Sequence, residues 1–165
     1  MIRIGMLALL AGAIALAALN FGYAQAPTSP EAASAQLYRP SFGDLMTIAV
    51  QPRHAKLGLA GQEKNWTYAA YELRELQGAF ERIAHAVPAY RSMDMAALIE
   101  ATTKAPMADV AAAIKSGDGA KFAEAYEQLT ATCNACHQST EHGAIVRQSP
   151  RTSAYPDQDF RLPKP

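Results

Sequence analysis

The sequence predicts an all-α domain, an antiparallel up-down-up-down four-helix bundle, on three observations. Apolar side chains recur at helical spacing in four stretches, and breakers such as Gly58, Pro88 and Gly117-Asp118-Gly119 stand between them. No segment sustains the period-two alternation of a half-buried strand. The chain has 165 residues and is 50% hydrophobic, enough for one domain with its own core and no disulfide staples.

The first helix is expected to open at Ser41, where Asp44 completes a capping-box pattern, and to run to about residue 57. At 100° per residue, Phe42, Met46, Ala49, Val50 and Leu57 share one stripe, with Met46 near its centre. Pro52 has no amide donor and crowds the carbonyl of Ile48, so a kink is expected there, and Gly58 and Gly61 provide the stop. The second helix spans 65–87, with Trp66, Ala70, Leu73, Phe80, Ala84 and Val87 on one face and Glu72, Glu75, Glu81 and Arg82 outside it, before Pro88. The third covers 94–103 and resumes with Met107, Val110, Ala111 and Ile114. It is either one helix kinked at Pro106 or two pieces.

Asp118 is placed to cap the fourth helix, 119 to about 140. Phe122, Tyr126, Leu129, Cys133, Cys136 and His137 project within about 60° of one direction. Its last turns hold Cys133-Asn134-Ala135-Cys136-His137, both cysteines of the chain with a histidine directly behind. This C-x-x-C-H pattern is the signature of covalent haem attachment. Two thiols three positions apart can form thioethers to the two vinyl groups on one haem edge, while the adjacent imidazole turns toward the iron. A dithiol redox centre would follow a strand pattern, which is missing here, and a zinc site would want a second ligand pair. A plain disulfide would not require His137.

Ahead of the domain, Arg3 precedes an apolar run from Ile4 to Leu19 and small residues up to Ala26. This is the layout of a secretory signal peptide over 1–26, cleaved after Ala24 or Ala26. An uncleaved anchor is the alternative, because the run nearly reaches spanning length. Cleavage would leave about 140 residues with 14 Lys plus Arg against 15 Asp plus Glu, a net charge near −1 and no membrane span. Residues 27–40, rich in Ala, Ser and Pro, read as a flexible lead-in to a four-helix domain over 41–142. Residues 143–165, with Pro150, Pro156, Pro163 and Pro165, read as a non-helical tail that Tyr155 and Phe160 anchor over the helices. No basic tract supports nucleic-acid binding.

An exported four-helix chain with one C-x-x-C-H near the end of its last helix resembles the class II c-type cytochromes, the cytochrome c′ and c-556 group, over residues 41–140. The resemblance implies one haem c held through Cys133 and Cys136, His137 as proximal ligand, attachment outside the cytoplasm and hence a periplasmic location. It also implies single-electron exchange with redox partner proteins, no substrate turnover, and room for a homodimer. In the c-556 type a methionine near the start of the first helix is the distal ligand, and Met46 matches that position. His54 is the rival, but it lies about 12 Å further along the helix and about 80° away. Met93 and Met95 start the third helix at the haem end, His85 faces solvent, and His142 follows the last helix, placed to cap its carbonyls. Arg82, Arg91 and Arg151 are candidate partners for haem propionates. Two alternatives stay open: a five-coordinate cytochrome c′-like protein that binds NO or CO, and a non-haem helical metal-binding or stress-sensing module in which Cys133, Cys136 and His137 hold another metal.

Overall fold

Helix formation starts at Ser41 through the expected reciprocal cap: its Oγ accepts from the Asp44 amide at 3.1 Å, and the Asp44 carboxylate accepts from the Ser41 amide at 2.9 Å. The structure, a computed structural model, describes residues 39–163. The expected leader, the anchor alternative and residues 27–38 of the lead-in lie outside the described residues. From the cap, α1 (Phe42–Leu45) runs into a π-helical turn, Met46–Val50, and on into α2 (Gln51–Gln62). In the π turn the Gln51 amide donates to the Met46 carbonyl, one residue further back than in an α-helix. Pro52 follows at once. The expected distortion at the proline therefore takes the form of a widened turn ahead of the ring, which makes room where the proline would crowd the preceding carbonyls.

This first helix does not stop at Gly58 and Gly61, as expected; it runs through both to Gln62. A Cβ on Gly58 would lie 2.6 Å from Tyr126 Oη and 2.9 Å from Pro150 Cδ, so the residue serves close approach rather than termination. The stop comes from Lys64, at φ 55°, with the Asn65 amide reaching back to Ala60 O at 2.9 Å and the Lys64 amide to Gly61 O at 3.0 Å. Asn65 then caps α3 (Trp66–Ala86) by accepting from the Tyr68 amide. Its side-chain NH2 donates to the carbonyls of Phe160 and Arg161, tying down the far end of the tail.

Leu73, Leu76, Phe80 and Ile83 carry the buried face of α3. Glu72, expected on the solvent side, is fully buried. It is tolerated because Arg53 of α2 reaches its Oε2 at 3.2 Å and the Tyr68 hydroxyl donates to Oε1 at 2.5 Å. Gln158 of the tail donates in turn to Tyr68 Oη at 2.6 Å.

A hairpin of two-residue strands, β1 (Ala89–Tyr90) and β2 (Met93–Asp94), connects α3 to α4 (Met95–Ser116). Arg91 turns it with φ 55° and pairs with Glu141 beyond the last helix. Asp94 caps α4 by accepting from the Ala97 amide. The third element is one helix, continuous across Pro106. Just before that proline, the hydroxyls of Thr102 and Thr103 donate to Leu98 O and Ile99 O at 2.7 and 2.8 Å. Gly117, at φ 67°, ends α4, and Asp118 caps α5 (Gly119–Ser139) by accepting from the amides of Ala120 and Lys121. Residues 140–163 hold no helix, as expected of the tail.

The fold is all-α apart from the hairpin. Helix α2 packs on α3, α3 on α4, α4 on α5, and α5 back on α2. Their shared core contains Leu57, Leu73, Leu76, Ile83, Val110 and Leu129. No helix among the described residues is long and apolar enough to cross a membrane.

Candidate functional site

The buried stripe of α5, Phe122, Tyr126 and Leu129, leads directly into Cys133, Cys136 and His137, which are half-buried at the helix's C-terminal end. Both thiols are free. Burial pushes the Cys133 thiol up to about 11, with the neighbouring Cys136 adding to it, and burial raises Cys136 as well. Near neutral pH these are uncharged thiols on an apolar face, unlike the low-pKa thiolate of a dithiol exchange centre.

The imidazole of His137 is held in one orientation. Its Nδ1 lies 2.6 Å from the carbonyl oxygen of Ile145. A carbonyl can only accept, so Nδ1 carries the proton and Nε2 presents its lone pair, the arrangement of a metal-ligating histidine with its outer bond made. The intervening chain is folded back by the His142 amide on His137 O at 2.7 Å and the Ile145 amide on His142 O at 2.8 Å.

Two cavities flank the motif. The larger, about 150 Å³, lies between the first helix (Phe42, Met46, Val50, His54), the end of α5 (Cys133, Cys136, His137) and the returning tail (His142, Ile145, Arg147). The smaller, about 30 Å³, shares Phe42, Met46, Cys133, Cys136 and His137 and adds Phe80 from the end of α3 and Met95 and Ile99 from the start of α4. The start of the first helix, the later turns of α3, the start of α4 and the end of α5 all contribute to this lining, and Met46, the first residue of the π turn, borders both spaces. Met95 is buried against the smaller one, whereas Met93 lies in β2.

Of the arginines singled out from the sequence, Arg91 is engaged by Glu141, and neither Arg82 nor Arg151 lines either cavity. Arg147 does. Its placement depends on the tail folding back, which no local pattern announces. The same is true of Ile145 and of Asn134, whose side chain grips the Arg147 backbone. Tyr155 and Phe160 anchor the tail over the helices, packed against the core beside Tyr68. His85 is exposed, as expected. His142 caps a last-turn carbonyl through its amide, on His137 O at 2.7 Å, while its ring contacts Thr140 Oγ1 at 3.2 Å and Tyr90 Oη at 3.4 Å, and the Tyr90 ring packs on Phe42.

His54 is also at the larger cavity, but its nitrogens are occupied. Nε2 lies 3.0 Å from Thr130 Oγ1 and Nδ1 lies 3.0 Å from Tyr126 Oη. The Thr130 hydroxyl donates to Tyr126 O at 2.8 Å, which leaves its oxygen to accept from His54 Nε2–H. Burial, with the positive charge of Arg147 second, pushes His54 down to about 4. The unfolded state, with an ordinary value of 6.5, therefore binds more protons between these limits, so stability is lost as pH falls from 6.5 toward 4. The expected loss is about 3 kcal/mol. Chemical denaturation at pH 7 and pH 4 should show it, and His54→Gln should flatten the slope; an equal slope in that variant would assign the acid sensitivity elsewhere.

Among the described residues no group of three or more His, Cys, Asp and Glu side chains converges to hold a metal ion. Compared with protein-family models, curated proteins and solved structures, the chain gives no significant match.

Proposed function

We propose that this protein is an exported, periplasmic monohaem c-type cytochrome of the class II kind, an up-down-up-down bundle that passes single electrons between partner proteins. The observation that carries this reading is the meeting of Cys133, Cys136 and a His137 imidazole already fixed by Ile145 O around apolar space that Met46 borders from the opposite helix. The donor set fits haem c: two uncharged thiols three residues apart for the vinyl carbons, and an imidazole nitrogen with its lone pair free. A non-haem metal held by Cys133, Cys136 and His137 would need their donor atoms to converge, and they do not.

The fit requires one movement. The two cavities together fall short of the roughly 300 Å³ of a typical ligand pocket, so the wall between them must shift outward. On one side that wall is α1 and the π turn, in which Val50 alone is fully buried.

Haem, when bound, supplies the one-electron iron couple. Cys133 and Cys136 would hold the group through their sulfurs, and His137 Nε2 and the Met46 thioether would be the ligands available to its iron. The apolar lining keeps water out, and Arg147 offers a guanidinium to a propionate carboxylate. His54 is withheld by its bonds to Tyr126 and Thr130, which favours Met46 as distal ligand. The intact mass of protein exported from a host competent in cytochrome maturation should exceed the processed chain by one haem; a bare-chain mass overturns the reading.

Met46→Ala is expected to convert a low-spin ferric spectrum to high-spin and to open the iron to CO and NO. A wild-type protein that is already high-spin and binds these gases would make it the cytochrome c′-like gas binder instead. If only His54→Ala changed the spin state, the ligand would be His54.

A further inference from the structure

The carbonyl that orients His137 belongs to a segment with little of its own to hold it. Ile145 and Val146 are 52% and 71% exposed, so apolar burial does not pin them, and no helix or strand includes them. On the upstream side the Ile145 amide turns back to His142 O. Downstream, the attachment is the side chain of Asn134: its Oδ1 accepts from the Arg147 amide at 2.7 Å, and its Nδ2 donates to the Arg147 carbonyl at 2.9 Å. A primary amide has both the acceptor and the donor that the two backbone groups of one residue need, whereas an ionised carboxylate has only acceptors. Asn134 and His137 are three residues apart on α5, so neighbouring positions of one helix face grip the same returning strap, one at Arg147 and one at Ile145.

We propose that Asn134, between the two cysteines of the motif, is a positioning residue: it clamps the strap 145–147 so that the Ile145 carbonyl holds the His137 imidazole. This rests on the haem reading above. A firm Nδ1–H bond makes the imidazole a more basic ligand and so favours ferric iron. Releasing the clamp weakens that bond and shifts the equilibrium toward ferrous.

The test compares the reduction potential of the purified holoprotein with Asn134→Ala, and with Gln62→Ala as control, which frees the tail at Pro150 O but leaves the strap paired. Asn134→Ala is expected to move the ferric–ferrous equilibrium about tenfold toward ferrous, about 59 mV upward for one electron. Faster hydrogen exchange at the Arg147 amide should accompany it, and Gln62→Ala should leave the potential in place. If Asn134→Ala does not accumulate, Asn134→Ser, too short to span both contacts, is read the same way. An unchanged potential in a variant that retains haem overturns the proposal, even if its melting temperature falls, because a merely structural role would lower only the latter. A wild-type mass without haem overturns the cytochrome reading itself, and the exchange rate at Arg147 still reports whether the clamp exists.

Discussion

Cys133→Ala and Cys136→Ala combined are expected to abolish haem that survives denaturation, leaving a colourless band where the parent chain stays coloured. The effect is all-or-none because no other cysteine exists to form a thioether. The fold should survive, since each thiol is only half-buried and neither bridges to another residue. Each truncation to alanine removes one sulfur from a cavity wall, at a cost of about 1 kcal/mol. Either single variant should keep part of the colour through its remaining bond. Haem staining after denaturing electrophoresis, with circular dichroism to verify helicity, makes the measurement. Full colour in the double variant would mean that any haem is attached elsewhere, and the assignment of the motif would be lost.

Gly61→Ala is expected to destabilise the helical core strongly. A Cβ at this position would stand 2.0 Å from Cε1 and Cζ of Phe122, far inside contact distance. The ring has little room to yield: Phe122 is buried, with Trp66 at 5.7 Å on one side and Tyr126 at 5.8 Å on the other, centroid to centroid. Relief therefore requires α2 and α5 to separate, at a cost of about 3 kcal/mol, the upper part of the range for overpacked cores. For a domain of this size the melting temperature should fall by about 10 °C. Gly43→Ala is the matched control, because its Cβ would meet only Ser41 Oγ at 3.8 Å, and the change should be neutral or slightly stabilising. Equal melting of Gly61→Ala and the parent would mean that the two helices do not approach as closely as described.

Helix starts were legible at the sequence level because caps are local. Ser41 and Asp118 each satisfy amides within three residues of themselves, and any reader of the chain can see the partner. The two glycines of α2 misled for the same reason in reverse. Their conformational freedom is visible locally and suggests a stop, whereas the Tyr126 and Phe122 rings that require them lie more than 60 positions away. Glu72 was misplaced likewise, since a carboxylate reads as solvent-facing until Arg53 and Tyr68 are seen to meet it.

By itself the sequence determined the helical class, the caps at Ser41 and Asp118, the C-x-x-C-H pattern and the stripe that carries it, because each depends on residues within a few turns of one another. Tertiary structure alone decided that α4 is one continuous helix, that His54 is locked to Tyr126 and Thr130, and that Asn134, Ile145 and Arg147 belong to the site. Those contacts join segments that are distant along the chain or lie in the irregular tail. Their geometry is set by how the helices pack and where the tail returns, and no periodicity encodes either.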